Sequence, residues 1–76
     1  MDTNERNRFN VAFGNFIKDA RLKKQIMQGD AARHVGLTQS YYSYIESGAR
    51  NVDLQLAFKI CDYLGLNLND FFAKNK

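Results

Sequence analysis

Gln28 to Asn51 reads QGDAARHVGLTQSYYSYIESGARN, and this stretch decides the fold. Ala31, Ala32 and Val35 recur as a short apolar face at helical spacing, which predicts a helix from about Gln28 to Val35. Gly36 ends it, because glycine enters the left-handed backbone region without a steric cost. Two residues on, the Thr38 hydroxyl is suited to accept from a free backbone N–H in the first turn of a following helix, predicted from about Gln39 to Ser47 with Gly48 as its stop. Only Tyr42 and Ile45 of that second helix face inward. Two short helices about a glycine turn, the second showing polar and aromatic side chains to solvent, make a helix-turn-helix at about residues 28–47.

Working outward, Phe9, Phe13, Phe16, Ile17 and Ala20 form one apolar stripe, with Asn15, Lys18, Asp19 and Lys23 outside it. A first helix is therefore expected from Phe9 to about Lys24, with Ile26 plugging the connection. Residues 1–8 are polar and unpatterned and read as a mobile arm. On the other side, Asp53 caps a fourth helix whose Leu54, Ala57, Ile60, Cys61 and Leu64 make a further stripe ending at Gly65. Asn67 and Asp70 stand at the N-cap and N3 positions of a short fifth helix carrying Leu68, Phe71 and Phe72. The chain has no proline, no repeat and no strand-like alternation. The expected architecture is all-α: a compact five-helix bundle over residues 9–74, behind the arm at 1–8.

At 76 residues and 45% hydrophobic content, the chain makes one small domain with a limited core. Eleven Lys and Arg against eight Asp and Glu give +3 and a pI near 9.2. That balance favours a polyanionic partner without the density of a tail that binds any nucleic acid. One cysteine can form no internal disulfide and lacks company for a metal site, and no apolar run reaches the length of a signal or membrane segment. A cytoplasmic protein is expected, with no metal, cofactor, membrane or small-molecule ligand. No pair of titratable groups sits beside a phosphate loop or plausible pocket, which argues against an enzyme.

Helices 2 and 3 are too short to be stable alone, so packing must hold them, with small Ala32 permitting close crossing. What remains on the outer face of helix 3 is Gln39, Ser40, Ser43 and Tyr44, at i, i+1, i+4 and i+5. A helix fits the major groove of B-DNA, where glutamine pairs bidentately with adenine and serine donates or accepts at several bases. Gln39 leads as base reader; Ser40 and Tyr44 come next, the tyrosine through its ring on a thymine methyl or its hydroxyl on an acceptor, and Ser43 shares the face. Phosphate contacts are expected from the start of helix 2 at Gln28, from Thr38 and Tyr41, and from Arg50 and Asn51 in the loop after helix 3.

Plainer readings stand beside these. Gln39 and Ser40 are also ordinary solvated residues after a cap, and Gln28, Tyr41, Ser43, Ser47 and Asn51 suit local hydrogen bonding equally well. Arg50 fits a solvated loop charge. Tyr42 shares the inward face with Ile45 and reads as core. His34, near the end of helix 2, reads as an exposed residue favoured by the helix dipole, and Cys61 as a small core residue.

From Phe13 to Phe72 the sequence resembles the Cro/CI (XRE) family of phage-repressor-like helix-turn-helix proteins. The likeness runs without a gap through Arg21, Gln28, Ala32, Gly36, Thr38-Gln39, Ile45-Glu46, Gly48, Asn51 and the ending Leu64-Gly65-Leu66-Asn67-Leu68-Asn69-Asp70-Phe71-Phe72. The segment from Ser40 to Glu46 also resembles the short controller proteins of restriction-modification systems. The resemblance implies a five-helix bundle that binds operator DNA as a homodimer, with Gln39 to Ser47 in the major groove. By matching position it implies base reading by Gln39, Ser40 and Tyr44, phosphate contact by Gln28, Ser47, Arg50 and Asn51, and a structural ion pair between Arg21 and Glu46. Three residues depart from the pattern: Met27 replaces the usual Ser or Thr cap of helix 2, Tyr42 fills a position usually held by Ile or Val, and Val52 replaces a frequent proline.

The function these readings imply is a sequence-specific regulator of transcription on double-stranded DNA. It would be a dimeric repressor or restriction-modification controller at an inverted-repeat operator, set by its own concentration. A different class, an antitoxin or protein-interaction module with secondary DNA binding, would be marked by an adjacent toxin gene. Leu66, Leu68, Phe71 and Phe72 carry more apolar surface than a short terminal helix can bury, and are expected to form the dimer interface. Arg21 and Glu46, each one residue beside an apolar stripe, are expected to meet at the edge of the core.

Overall fold

A computed structural model of the chain describes residues 3–74. The helices are α1 Thr3–Lys23, α2 Gln28–His34, α3 Gln39–Ser47, α4 Leu54–Tyr63 and α5 Leu68–Lys74, and no strand occurs among the described residues. Two boundaries differ from expectation. Val35 is the C-cap of α2 rather than its last helical residue. The arm expected over residues 1–8 is helical from Thr3, while residues 1 and 2 lie outside the described residues. Nothing from Thr3 to Arg8 breaks a helix, and Glu5 in the first turn complements the helix dipole. Residues 4–8 are polar and exposed, so they lack the apolar period that marks a helix in sequence.

α1 to α4 end in one local design. After α1, the Ile26 N–H reaches back to the Arg21 carbonyl and the Gln25 N–H to that of Leu22. The same paired bonds recur at Gly36-Leu37, Gly48-Ala49 and Gly65-Leu66, each a Schellman turn with its first residue at positive φ. Three are glycines; Gln25, at φ 59°, is the exception. Helix starts vary more. Thr38 and Asp53 accept from Tyr41 N–H at 3.1 Å and Leu56 N–H at 2.7 Å, whereas Met27 offers α2 no side-chain cap.

The core gathers Phe13 and Ile17 of α1, Ala31 and Ala32 of α2, Tyr42 and Ile45 of α3, Ala57, Ile60 and Cys61 of α4, Val35, Leu64, and Phe71 of α5. Its tightest contact is one the sequence reading passed over. α1 crosses α3 at Gly14, where a Cβ would stand 2.7 Å from the Ile45 carbonyl oxygen and closer still to that of Glu46. Only a residue without a side chain permits that approach. It fixes α3 against α1 by backbone contact.

Two apolar assignments are corrected. Leu54, expected in the inward stripe of α4, is 72% exposed, because it opens the helix a full turn beyond Ala57, the first residue of the stripe to reach the core. Phe71, expected at a dimer interface, is fully buried. Its ring lies edge-on to Phe9 and Phe13, both 5.5 Å between centroids, and tilted against Phe16 at 5.2 Å, so the aromatic stripe of α1 absorbs it. Leu66 and Leu68 are half-buried and pack against the core, leaving Phe72 as the exposed member of the four.

Candidate nucleic-acid interface

With Tyr42, Ile45 and Glu46 turned inward, α3 leaves Gln39, Ser40 and Tyr44 exposed and Ser43 half-buried on its outer side. Together with Gln28 from the start of α2 they line a shallow polar depression of about 290 Å³. No charged side chain enters it. The set can donate and accept neutral hydrogen bonds and present one aromatic ring, which suits the edges of base pairs better than phosphates. Gln39 leans toward Gly29, where an added Cβ would lie 3.4 Å from its Oε1, so the glycine leaves this side chain room at the α2–α3 junction.

The position of α3 is enforced from below by a buried polar node. Arg21 donates from Nε to Glu46 Oε2 at 2.6 Å and from Nη2 to Oε1 at 3.0 Å, a side-on bidentate pair. Side-chain exposures of 8% and 2% make it a buried pair, deeper than the edge of the core where sequence reading set it. Arg21 Nη1 also donates to the Ile26 carbonyl at 2.7 Å, and Gln28 Nε2 to Glu46 Oε1 at 3.0 Å. One carboxylate thus ties α1, α2 and α3. Burial pushes the Glu46 carboxyl up, but hydrogen bonds from Arg21 and Gln28, helped by the nearby Tyr42 hydroxyl and the Arg21 charge, outweigh it and hold the group below its ordinary value. The bond to Glu46 holds the Arg21 guanidinium above its own, against burial.

Tyr42 is fully buried. Burial and the neighbouring Glu46 charge push its phenol well above the usual range. Its hydroxyl interacts with that carboxylate without reaching good hydrogen-bond geometry, and it is the buried side-chain polar atom left unsatisfied among the described residues. An aromatic ring with a polar tip, buried whole among apolar side chains, accounts for the misfit.

The residues expected to meet phosphates divide by what their polar atoms already do. Thr38 uses its oxygen as the α3 cap, leaving its O–H free to donate. Ser47 donates inward to the Tyr44 carbonyl at 3.0 Å, so its proton is engaged locally. Gln28 has committed one amide hydrogen to Glu46. Asn51 accepts from Asn10 Nδ2 at 2.6 Å through its Oδ1, so its NH₂ is not used in that bond. The Arg50 guanidinium lies 5.2 Å from the centre of the Tyr41 ring, a cation–π contact that gathers both residues beside the end of α3. Sequence reasoning missed Asn10: a polar residue within an otherwise amphipathic stripe gave no sign that it would be buried against the α3–α4 loop.

The remaining singled-out residues lie elsewhere. His34 is exposed and stacks on Tyr63 at 4.1 Å. Cys61 is buried, and burial pushes its thiol up to about 11, away from reactivity. The described residues hold no cluster of potential metal ligands and no helix long and apolar enough to cross a membrane.

Residues 17–71 match the sequence pattern of the helix-turn-helix family. The chain is 38% identical over 68 residues to the control protein C.MunI of a Mycoplasma species, covering 88% of this chain and 92% of that one. It is 33% identical over 58 residues to an HTH-type transcriptional regulator of Methanocaldococcus jannaschii, covering 76% and 88%. Among solved structures it is similar to the clp gene regulator ClgR of Corynebacterium glutamicum, with TM-score 0.79 and 23% identity over 84% of this chain and 68% of that one, a likeness of fold. The pattern match covers most of the chain, and a relative 38% identical over 88% of it agrees: the protein belongs to the XRE-type, Cro/CI-like family of helix-turn-helix DNA-binding regulators.

Proposed function

We propose that this protein is a cytoplasmic, sequence-specific regulator of transcription that binds an inverted-repeat operator as a homodimer, in the manner of a repressor or restriction-modification controller. The observation that carries the proposal is the outward face of α3: Gln39, Ser40, Ser43 and Tyr44 form an uncharged reading surface on a helix whose inner side is fixed by Gly14 and Glu46. In this reading Gln39, Ser40, Ser43 and Tyr44 meet base edges, while Gln28, Thr38, Tyr41, Ser47, Arg50 and Asn51 hold the backbone. Ser47 contributes after releasing its bond to Tyr44. Similarity to a control protein supports the controller form.

The dimer is supported by apolar surface. Leu54 is 72% and Phe58 64% exposed on α4, beside exposed Phe72. A groove of about 170 Å³ lined by Phe9, Val52, Leu54, Leu68 and Phe72 flanks them on one side. A wider one of about 470 Å³ next to Phe58, Leu66 and Leu68 flanks the other. The interface proposed is this ridge and its grooves, so Leu66, Leu68 and Phe72 remain in it, Leu54 and Phe58 join, and Phe71 leaves. A two-fold dimer must set its two α3 helices about one DNA turn, roughly 34 Å, apart.

The test is to select bound duplexes from random DNA and compare Gln39→Ala with Arg50→Ala across a salt series. Gln39→Ala should relax base preference, since one bidentate pair is worth about 1–3 kcal/mol of discrimination. Arg50→Ala should weaken all duplexes alike and lower the salt slope by about 0.9 per protomer. Equal loss by Gln39→Ala on selected and scrambled duplexes overturns the assignment. Failure to select any sequence refutes DNA reading as the main function and favours a protein partner.

A further inference from the structure

The N-terminal turns of α1 stand over the α3–α4 loop and enclose an open cleft of about 600 Å³. Its polar lining is Arg6, Asn7, Asn10, Tyr41, Arg50 and Asn51. Two guanidinium groups, three amides and a phenol converge there, and no carboxylate of the described residues lines it. Neither Arg6 nor Arg50 has an ion-pair partner among the described residues. The cleft is held in shape on three counts. Val11 of α1 sits so close to Gly48 that a Cβ there would lie 2.6 Å from its Cγ2. The Asn10–Asn51 bond ties helix to loop, and the Arg50–Tyr41 contact fixes the opposite wall. Arg6 and Asn10 lie one above the other at i and i+4, on the stripe that continues to Gly14 at the α1–α3 crossing.

We infer that this cleft is a backbone clamp for DNA flanking the bases read by α3, and that Arg6, on turns that carry no part of the motif, supplies its second cation. The inference rests on the DNA-reading role proposed above. It extends the contact surface from the motif to the start of the chain. A DNA phosphate is the occupant favoured over a free anion, because the cleft is open and its lining includes Tyr41, Arg50 and Asn51, the residues proposed above to hold the backbone. Asn10 is a positioning residue: its amide donates to Asn51 Oδ1 and holds that side chain at the cleft, leaving the Asn51 NH₂ uncommitted by this bond.

The test uses the full chain and a duplex chosen by selection, with Arg6→Ala, Arg6→Lys and Lys24→Ala compared across a salt series. Lys24 lies at the other end of α1, its Nζ 3.7 Å from where a Cβ on Gly65 would be, so its removal changes net charge equally without touching the cleft. Arg6→Ala should lower the salt slope by about 0.9 per protomer, close to a 3.5-fold change per contact between 50 and 200 mM salt. Base preference should be unaltered. Arg6→Lys should retain most of the slope, and Lys24→Ala should leave it near wild type. Neutral methylphosphonates at the flanking positions should weaken the wild type more than Arg6→Ala, which keeps only the Arg50 contact. Arg6→Ala matching Lys24→Ala, changing base preference, or losing as much to methylphosphonates as the wild type overturns the clamp while leaving the reading by α3 intact. A wild type that prefers no duplex overturns both. Circular dichroism of each variant separates lost binding from lost fold.

Discussion

Replacing Arg21 with methionine removes the cation that neutralises a carboxylate 2% exposed. The substitution keeps the aliphatic stem and leaves Glu46 buried with only Gln28 and Tyr42 to face it. Breaking one side of such a pair costs about 3–5 kcal/mol, since an uncompensated charge is left in a poorly polarisable setting. A domain of 76 residues has a total stability of roughly 4–11 kcal/mol. Its unfolding entropy is about 0.16 kcal/mol/K, so the expected fall in Tm is roughly 20–30 °C. Replacing both members, Arg21→Met with Glu46→Met, removes the buried charge as well. The remaining loss is the Ile26 carbonyl and the Gln28 amide, each worth about 1 kcal/mol and each able to turn to water. The double variant should therefore be more stable than the single one.

The pH dependence gives an independent sign. In the wild type the Glu46 carboxyl is held below its ordinary 4.5, so its contribution is fully present above that pH and is lost as pH falls through the lowered value. Without Arg21, burial dominates and the folded-state pKa rises above 4.5. The variant then regains stability on acidification while the wild type loses it, and the gap between them should narrow from pH 7 to pH 4. Urea melts of the three proteins at several pH values measure this. A gap that stays constant with pH, or a double variant no more stable than Arg21→Met, would refute the account of Glu46 as a buried charge in need of its partner.

Gly14→Ala should cost about 3 kcal/mol or more, because the added methyl meets backbone that has no rotamer to yield; a denaturation midpoint near wild type would mean that α1 and α3 are not so close. Gln25→Gly should stabilise by roughly 0.5–1 kcal/mol, the relief of a left-handed conformation at φ 59° less the added freedom of the unfolded chain. A thermal melt that fails to rise, by about 3–6 °C, counts against this. Phe58→Glu should leave the melting temperature of the protomer nearly unchanged and shift sedimentation from dimer toward monomer, since the ring is 64% exposed in the single chain; an unaltered sedimentation profile removes α4 from the proposed interface.

How much of this was legible in the sequence depends on whether a residue's role was local. Caps and turns are local chemistry, so Thr38, Asp53, Gly36, Gly48 and Gly65 fixed their helix ends on inspection, and α3 runs over the expected residues. The start of α1 was not legible, because exposed turns made of polar residues carry no apolar period. Gly14 was silent for the opposite reason: within a helix a glycine is merely unfavourable until another backbone is known to pass over it. Phe71 and Phe72 are adjacent and chemically identical, and only the gap left by Phe9, Phe13 and Phe16 decides which ring goes in. In the candidate interface the residues of α3 were legible from helical spacing. The partners of Gln28 and Asn51 were not, since both bonds join positions far apart in sequence.

The crossing at Gly14 and the node at Glu46 separate two tasks within one nine-residue helix. Everything that seats α3 is inherited from its inner side, and the proposed reading chemistry sits on residues outside the buried core. Gln39, Ser40, Ser43 and Tyr44 can therefore be exchanged for other polar or aromatic residues at little cost to folding, since surface substitutions usually change stability by no more than about 0.5 kcal/mol. A lineage of such proteins is free to diverge in what it recognises while its scaffold stands still. Duplicate copies within one cell could then drift to separate addresses on the chromosome without either passing through an unfolded ancestor.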